Sequence, residues 1–171
     1  MNRVYDSHLS GVTLHDLTGE RLPLESFVGH PLLVVNVASE CGLTPQYEGL
    51  QVLHERFSGG PNGLIILACP CNQFGGQEPG DAEQIQRFVQ ERFGVEFLVS
   101  EKIDVNGPDR HPLYQNLIGD GSDIEWNFAK FLVGGDGEIL MRAAPTTAPD
   151  SPELLEIIES LLEEEEEATS G

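Results

Sequence analysis

Two runs of almost unbroken apolar residues mark the first half of the chain. Residues 31–38 and 64–69 are rich in Leu, Ile and Val, as is typical of strands covered on both faces. Between them, Thr44 and Pro45 have the character of a helix N-cap and a first helical residue, and apolar residues recur at helical spacing as far as Phe57. Two such strands joined by a helix predict a βαβ unit with parallel strands and a right-handed crossover.

Cap and turn residues predict further elements. Asp81 and Gln84 form a capping-box pair, and the glycine at position 94 is placed to end the helix that follows them. Near the end of the chain, residues 128–133 and 138–143 flank a glycine-rich turn. This pattern predicts a β-hairpin.

The two ends of the chain carry weaker signals. Residues 12–17 and Leu22 flank a turn at 18–20, which predicts a small hairpin before the core begins. A last helix with a broad apolar face is predicted from Pro152. Residues 163–171 begin with five consecutive glutamates, and we expect them to form a solvated, disordered acidic tail.

These elements predict one domain over residues 1–171 with an α/β, thioredoxin-like fold. Its central mixed sheet has helices on both faces and is preceded by an N-terminal β-hairpin. A chain of 171 residues can bury a substantial core. No apolar run is long enough to span a membrane, and residues 1–10 lack the features of a signal peptide. We therefore expect a cytoplasmic protein without stable membrane insertion.

Cys41 is the residue that carries the most chemical information. It follows the first predicted strand and precedes a helix start by a few residues. The dipole and free N–H groups of a helix N-terminus stabilise negative charge, so a cysteine placed there is favoured as a thiolate nucleophile. Three residues later stands Thr44 rather than a second cysteine, which disfavours dithiol exchange of the Cys-x-x-Cys type.

The remaining composition limits the chemistry further. Three cysteines are too few for a disulfide scaffold, so each is either a packed core residue or a chemical group. The five histidines show neither metal-ligand spacing nor the arrangement of a catalytic triad. No metal site is predicted from them.

The net charge is strongly negative, at −20. The eight carboxylates after residue 150 account for less than half of it, so the whole surface is predicted to be acidic. Such a surface argues against binding to nucleic acid and to anionic membranes. Two interpretations stay open: ordinary acidic solubility, or a protein that works in a salt-rich cytoplasm where self-repulsion is screened.

Six segments, in the same order along the chain, resemble the glutathione peroxidase family. They run from Asn36 to Thr44, Pro70 to Gly80, Lys102 to Gly107, His111 to Tyr114, Trp126 to Leu132, and Ala144 to Thr147. The resemblance implies a thiol-dependent peroxidase that reduces hydrogen peroxide and organic or lipid hydroperoxides to water or alcohols. Glutathione or thioredoxin would serve as the reducing co-substrate, and no bound cofactor is expected.

The same resemblance implies a catalytic group formed by Cys41, Gln77, Trp126 and Asn127. The Cys41 thiolate would attack one peroxide oxygen, break the O–O bond and become a sulfenic acid. The two side-chain amides and the indole N–H are neutral donors that can stabilise first the thiolate and then the developing alkoxide.

One departure from the family pattern concerns the recycling of Cys41. Many cysteine-containing members carry a resolving cysteine on the helix after the Gln-Glu-Pro-Gly stretch, but residues 84–91 contain none. Direct reduction by glutathione or another small thiol is therefore the leading interpretation. Cys69 and Cys71 remain candidate resolving thiols, and Cys69 stands where the family more often has an aromatic residue.

A second departure concerns size. Only eleven residues separate Tyr114 from Trp126, whereas longer family members carry an insertion there that forms subunit contacts. The chain thus resembles the small, cysteine-containing, monomer-like branch that accepts bulky lipid hydroperoxides, and we expect a monomer.

Two other functional classes stay open at this point. A peroxide sensor would use the same Cys41 chemistry but pass the oxidation to a protein partner instead of turning over. A binding module with the thioredoxin-like plan would have no redox activity. The intact Gln77, Trp126 and Asn127 argue against the binding module.

Overall fold

The computed structural model describes the backbone of residues 13–170 and the side chains of residues 13–163. Its strands are β1 (Leu32–Val37), β2 (Ile65–Pro70), β3 (Leu98–Val99), β4 (Lys130–Val133) and β5 (Ile139–Ala143). Its helices are a 3₁₀ turn (Leu24–Phe27), α1 (Gln46–Phe57), α2 (Ala82–Phe93), α3 (Pro112–Ile118) and α4 (Pro152–Ser170). The five strands form one sheet in the order β3-β2-β1-β4-β5.

The sheet is mixed, as predicted. Strand β1 pairs in parallel with β2, and β2 with β3, while β4 is antiparallel to both β1 and β5. In the β1–β2 register, Asn36 lies opposite Cys69 and Val37 opposite Pro70. The carboxyl ends of these central strands therefore meet at one edge, where sites of open α/β sheets assemble.

Helices cover both faces of the sheet. On one face, called here the three-helix face, Tyr47 of α1, Val89 of α2 and Leu154 of α4 pack with Val35. On the other, the α3 face, residues of α3 such as Tyr114 pack against the opposite side of the same strands. Successive strand residues point to opposite faces, so near-continuous apolar sequences are needed in β1 and β2.

The predicted capping box and the predicted hairpin near the end of the chain are confirmed. The Asp81 side chain accepts a hydrogen bond from the Gln84 N–H, and the Gln84 side chain accepts one from the Asp81 N–H, both at 2.9 Å. Helix α2 ends at Gly94, which has φ 58°. Gly can adopt this left-handed conformation without a steric penalty.

The prediction of Thr44 as the N-cap of α1 is wrong. The helix begins at Gln46 with Pro45 as its cap, and no side chain caps it. The Thr44 hydroxyl is already used elsewhere, because it donates to the Ala38 carbonyl at 2.8 Å and accepts from the Cys41 N–H at 3.0 Å.

The N-terminal hairpin is reduced to a single antiparallel bridge between His15 and Arg21. The Asp16 side chain accepts hydrogen bonds from the N–H groups of Thr18 and Glu20. This local loop takes up the donors near the turn and keeps the paired segment short. Residue 12, where the hairpin prediction begins, lies outside the described residues.

Helix α4 continues through Ser170, although a disordered tail is predicted from residue 163. Leu154 and Ile158 anchor its first turns in the core. The glutamates that follow favour helix, and no Gly or Pro interrupts them before the end of α4. In the part of the chain with a described backbone, no helix has the length and apolar character needed to cross a membrane.

Candidate active site

Cys41 lies on a turn between β1 and α1, partly exposed to solvent. Its Sγ accepts a hydrogen bond from the Leu43 N–H at 3.3 Å, and its own N–H donates to the Thr44 hydroxyl. The helix itself starts five residues after Cys41. Because the effect of a helix dipole fades beyond its first turn, the nearby Leu43 N–H is the direct stabiliser of negative charge on the sulfur.

Gln77 is held beside this turn by its backbone. Its carbonyl accepts a hydrogen bond from the N–H of Glu40, the residue before Cys41, at 3.0 Å. The loop reaches this place after β2 through Gly75 and Gly76, both of which have positive φ. The structure thus places the Gln77 backbone next to the cysteine segment.

Asn127 meets Gln77 side chain to side chain. Its Nδ2 donates to the Gln77 Oε1 at 3.0 Å, and Asn127 itself is fully buried. In this contact Gln77 is the acceptor, so the bond uses neither of its two N–H donors. The Asn127 Oδ1 has no hydrogen-bond partner among the described residues.

Trp126 forms the exposed wall of the same cluster, with 37% of its surface accessible. Its ring centroid lies 5.8 Å from that of Phe74. A Cβ built on Gly75 would lie 3.2 Å from the Trp126 Cη2 and 3.6 Å from the Gln77 side chain. The glycine therefore allows the indole and the glutamine to approach the loop closely.

Asn36 connects this cluster to the sheet. Its side chain donates to the Trp126 carbonyl at 3.0 Å, and its own carbonyl accepts from the Phe128 N–H at 2.6 Å. Asn36 is a fully buried polar residue in an otherwise apolar strand. That contrast is a signal that sequence reasoning missed.

The four predicted site residues come together from three segments. Cys41 and Gln77 are joined through Glu40, and Gln77 is joined to Asn127, which follows Trp126. The backbone contact at Glu40 brings the loop of Gln77 next to the turn that carries the partly exposed thiol. Such a site can stabilise a thiolate and an oxyanion that forms near it.

The other two cysteines lie on the opposite side of the sheet. Cys69 and Cys71 belong to the apolar cluster of the α3 face and are fully buried, whereas Cys41 contacts the cluster of the three-helix face. Burial raises the pKa of Cys69 to about 12, although the Ser100 hydroxyl opposes this rise. Burial likewise raises the pKa of Cys71. Both are therefore packed, protonated thiols at neutral pH.

A buried carboxyl group lies next to Gln77. Glu78 is 1% exposed, and burial raises the pKa of its carboxyl group, while the Ser39 hydroxyl and amide oppose the rise. Together with Ser39, Glu40 and Phe88 it lines an open cavity of about 360 Å³. Nothing in the sequence pattern singled out Glu78 as buried.

Metal ligands are not grouped in the part of the chain that the structure describes. There, no three side chains of His, Cys, Asp or Glu come together as a set that could hold an ion. His111 has a local role instead, because its Nδ1 accepts a hydrogen bond from the Leu113 N–H at the start of α3.

Comparison with known proteins identifies a family and relatives that this chain resembles. A family model described as "Glutathione peroxidase" matches residues 9–118. The "Hydroperoxy fatty acid reductase Gpx2" of Synechocystis sp. is 51% identical over 150 residues, which cover 88% of this chain and 96% of the relative. The "Thioredoxin/glutathione peroxidase BtuE" of Escherichia coli is 41% identical over 182 residues, covering 92% and 98% of the two chains.

A solved structure agrees over nearly the full length. The crystal structure of Trgpx in apo form is 31% identical, covers 95% of this chain and 97% of its own, and has a TM-score of 0.69. The predicted thioredoxin-like α/β fold is thereby confirmed. The chain belongs to the glutathione peroxidase family, thiol-dependent oxidoreductases that act on peroxide.

Proposed function

We propose that this protein reduces hydrogen peroxide and organic or lipid hydroperoxides through a sulfenic acid on Cys41, assisted by Gln77, Trp126 and Asn127. The observation that carries this proposal is the Asn127–Gln77 hydrogen bond beside the cysteine turn. It fixes the Gln77 amide, which has two N–H donors, in a loop whose backbone meets the residue before the partly exposed thiol. Neutral donors of this kind are suited to a reaction in which charge moves from sulfur to oxygen.

The peroxide step is a displacement at oxygen. The Cys41 thiolate forms an S–O bond, the O–O bond breaks, and the electron pair leaves with the second oxygen as hydroxide or alkoxide. That oxygen takes one proton to become water or an alcohol. The Leu43 N–H stabilises the thiolate before attack, and the Gln77 N–H groups and the Trp126 indole can stabilise the leaving oxygen.

Recycling by an external thiol is the route that the site supports best. A thiol RSH would react with the sulfenic acid to give a Cys41–S–S–R mixed disulfide and water. A second thiol would release the Cys41 thiol and the disulfide RSSR. Cys69 and Cys71 are buried on the opposite face of the sheet, and α2 contains no cysteine. These facts favour one-cysteine recycling over an internal disulfide.

The proposal also covers the reductant, the substrates, the oligomeric state and the cellular compartment. Glutathione and thioredoxin are both candidate reductants, and the printed name of the Escherichia coli relative includes both. Lipid hydroperoxides are included because the Synechocystis relative is named for hydroperoxy fatty acids. We further propose a monomer that works in the cytoplasm, supported by the short segment before Trp126 and by the low cysteine count.

Steady-state peroxide consumption coupled to NADPH through glutathione or thioredoxin tests the proposal. We expect continuous turnover with at least one donor and none with Cys41→Ser. Cys71→Ser is the matched control and should keep the wild-type rate. A single stoichiometric burst of peroxide consumption with both donors would contradict the proposed enzymatic turnover and favour a peroxide sensor. Undiminished turnover in Cys41→Ser would exclude Cys41 as the nucleophile.

A further inference from the structure

Lys130 is a buried cation outside the group of residues that the peroxide chemistry uses. It is the first residue of β4 and is fully buried. Its Nζ donates to the Phe128 carbonyl at 2.7 Å and to the Pro145 carbonyl at 3.4 Å. Among residues 13–163, no carboxylate forms an ion pair with it.

An ammonium held only by carbonyl groups is unfavourable in the core. Burial lowers the pKa of Lys130 to about 8, and no other cause contributes. A lysine whose pKa is depressed in the folded state destabilises the fold below that pKa. The free energy of unfolding should rise as the pH increases from about 8 toward the ordinary value of 10.5. Lys130 is therefore not explained by a gain in stability.

The carbonyl that Lys130 holds belongs to a strained turn. Phe128 has φ 70°, and it is the only residue other than glycine with positive φ among those described. A bulky side chain seldom adopts this conformation unless its surroundings impose it. The Phe128 N–H is fixed by the Asn36 carbonyl, and its C=O is fixed by Lys130. Both backbone groups of the strained residue are thus held.

This turn carries two of the proposed site residues. Asn127 immediately precedes Phe128, so the path of the backbone at Phe128 determines where the Asn127 amide meets Gln77. The second carbonyl bound by Lys130, that of Pro145, also accepts from the Gln46 side chain at 2.8 Å. Lys130 therefore ties the turn to the first residue of α1, on the side where Cys41 lies.

We propose that Lys130 is a positioning residue, whose ammonium holds the left-handed turn at Phe128 so that Asn127 and Trp126 face Gln77. This inference rests on the proposed function of those residues. Loss of the Lys130 proton removes the charge that binds the two carbonyls, and it should loosen the turn. The rate of Cys41 oxidation should then fall on the alkaline side.

The surroundings contain few groups that could imitate this effect. Val35 on β1 and Ala143 on β5 lie opposite Lys130 in the sheet and do not titrate. From α1, Tyr47 packs on Phe128, and burial raises the pKa of Tyr47 well above its ordinary value, so it stays neutral near pH 8.

Glu78 also acts electrostatically on Tyr47, and burial raises the pKa of its carboxyl group. His54 packs on Phe97 of the same face, with 6.3 Å between the ring centroids. The variant Glu78→Gln, which removes the Glu78 charge, should keep the midpoint of the Trp126 change. Cys41 contacts this face as well, and it is monitored separately as the reacting thiol.

The chain offers two built-in probes for a test without mutation of the site. It contains only two lysines, Lys102 and Lys130, and one tryptophan, Trp126. Protein labelled with ¹³C-lysine should show two side-chain signals by NMR, and the variant Lys102→Met assigns them. We expect the Lys130 signal to titrate near pH 8 and the Trp126 fluorescence to change with the same midpoint. A Trp126 fluorescence that does not change over the pH range in which the Lys130 signal titrates would overturn the proposal.

Two variants distinguish a positioning role of Lys130 from a purely structural one. Lys130→Met and Lys130→Gln should still unfold cooperatively in urea, which shows that they are folded. They should oxidise Cys41 about 10- to 100-fold more slowly at pH 7 and lose the alkaline decline. Lys102→Met is the control with a normal rate and profile. A rate within twofold of wild type in either folded Lys130 variant would contradict the proposal.

If neither Lys130 variant folds, the pH titration of Lys130 and Trp126 in the wild-type protein still tests the proposal. It also separates this inference from the proposed function. If Gln77→Ala and Asn127→Ala oxidise Cys41 at the wild-type rate while Trp126 still follows Lys130, the proposed function fails and the coupling of Lys130 to the turn stands. If those two variants are slow but Trp126 does not respond to Lys130, the proposed function stands and the positioning role fails.

Discussion

Asn127 donates a hydrogen bond to Gln77 across fifty residues of sequence, at 3.0 Å between Nδ2 and Oε1. The contact uses the oxygen of Gln77 and neither of its two N–H donors. Asn127 is fully buried, whereas Gln77 is partly exposed. The two amides therefore form one unit in which Asn127 orients Gln77.

A double-mutant cycle tests this unit. Gln77→Ala and Asn127→Ala should each slow oxidation of Cys41 by roughly 2.7 to 4 kcal/mol of barrier, about 10²- to 10³-fold. The double variant should be little slower than either single variant, since removing one partner already disables the pair. Stopped-flow measurement of Cys41 oxidation gives the rates. Asn62→Ala, at a side-chain hydrogen bond to Gly29, is a control that should keep the normal rate. Fully additive losses would show that the amides act separately.

Gly75 and Gly76 provide a matched pair for the loop that brings Gln77 to the site. Both have positive φ, so an alanine at either position should destabilise the fold by roughly 1–2 kcal/mol. Only at Gly75 would the new Cβ meet Trp126, at 3.2 Å, whereas nothing lies within 4 Å of a Cβ at Gly76. Gly75→Ala should therefore change the Trp126 fluorescence and slow Cys41 oxidation more than Gly76→Ala does. Equal effects of the two variants would mean that the close approach to Trp126 is unimportant.

Thr44 links the cysteine turn to the end of β1. Thr44→Val keeps the shape but removes the hydroxyl, leaving the Ala38 carbonyl and the Cys41 N–H without this partner. We expect a loss of roughly 1–3 kcal/mol in the free energy of unfolding, together with slower oxidation of Cys41. Urea denaturation and stopped-flow rates measure the two effects. Thr44→Ser retains the hydroxyl and should stay close to wild type; a serine variant as damaged as the valine variant would point to packing instead.

The acidic surface leads to a prediction of how the stability of the protein depends on salt. If the protein is adapted to a salt-rich cytoplasm, the free energy of unfolding should increase as KCl is raised, because screening reduces repulsion within a chain of net charge −20. Urea denaturation at a series of KCl concentrations tests this. A stability that is unchanged by salt would favour ordinary acidic solubility. Loss of structure only at high salt would exclude the salt-adapted interpretation.

The strands and helices that the sequence predicts best are those specified locally. The apolar run that becomes β1 and the capping pair at Asp81 and Gln84 need no distant partner to be recognised. Thr44 shows the opposite case. Its side chain looks like a helix cap, but a carbonyl six residues earlier and the Cys41 N–H compete for the same hydroxyl. Propensity cannot indicate which of these partners prevails.

The residues of the site also differ in how far the local sequence indicates them. The place of Cys41 after a buried strand indicates its chemistry directly. Gln77, Trp126 and Asn127 are indicated only by family resemblance, because their contacts join segments far apart in sequence. Cys69 illustrates what the strand register adds. Once Cys69 is paired with Asn36, alternation places it on the face away from Cys41, and sequence alone does not supply that pairing.

The central claim is that Cys41 is oxidised to a sulfenic acid and is reduced by an external thiol. Mass spectrometry of the protein after one equivalent of hydrogen peroxide, without added thiol, tests this most directly. We predict one added oxygen on Cys41, trapped by dimedone and converted to a mixed disulfide when glutathione is added. An unmodified Cys41, or a disulfide joining Cys41 to Cys69 or Cys71, would contradict the account.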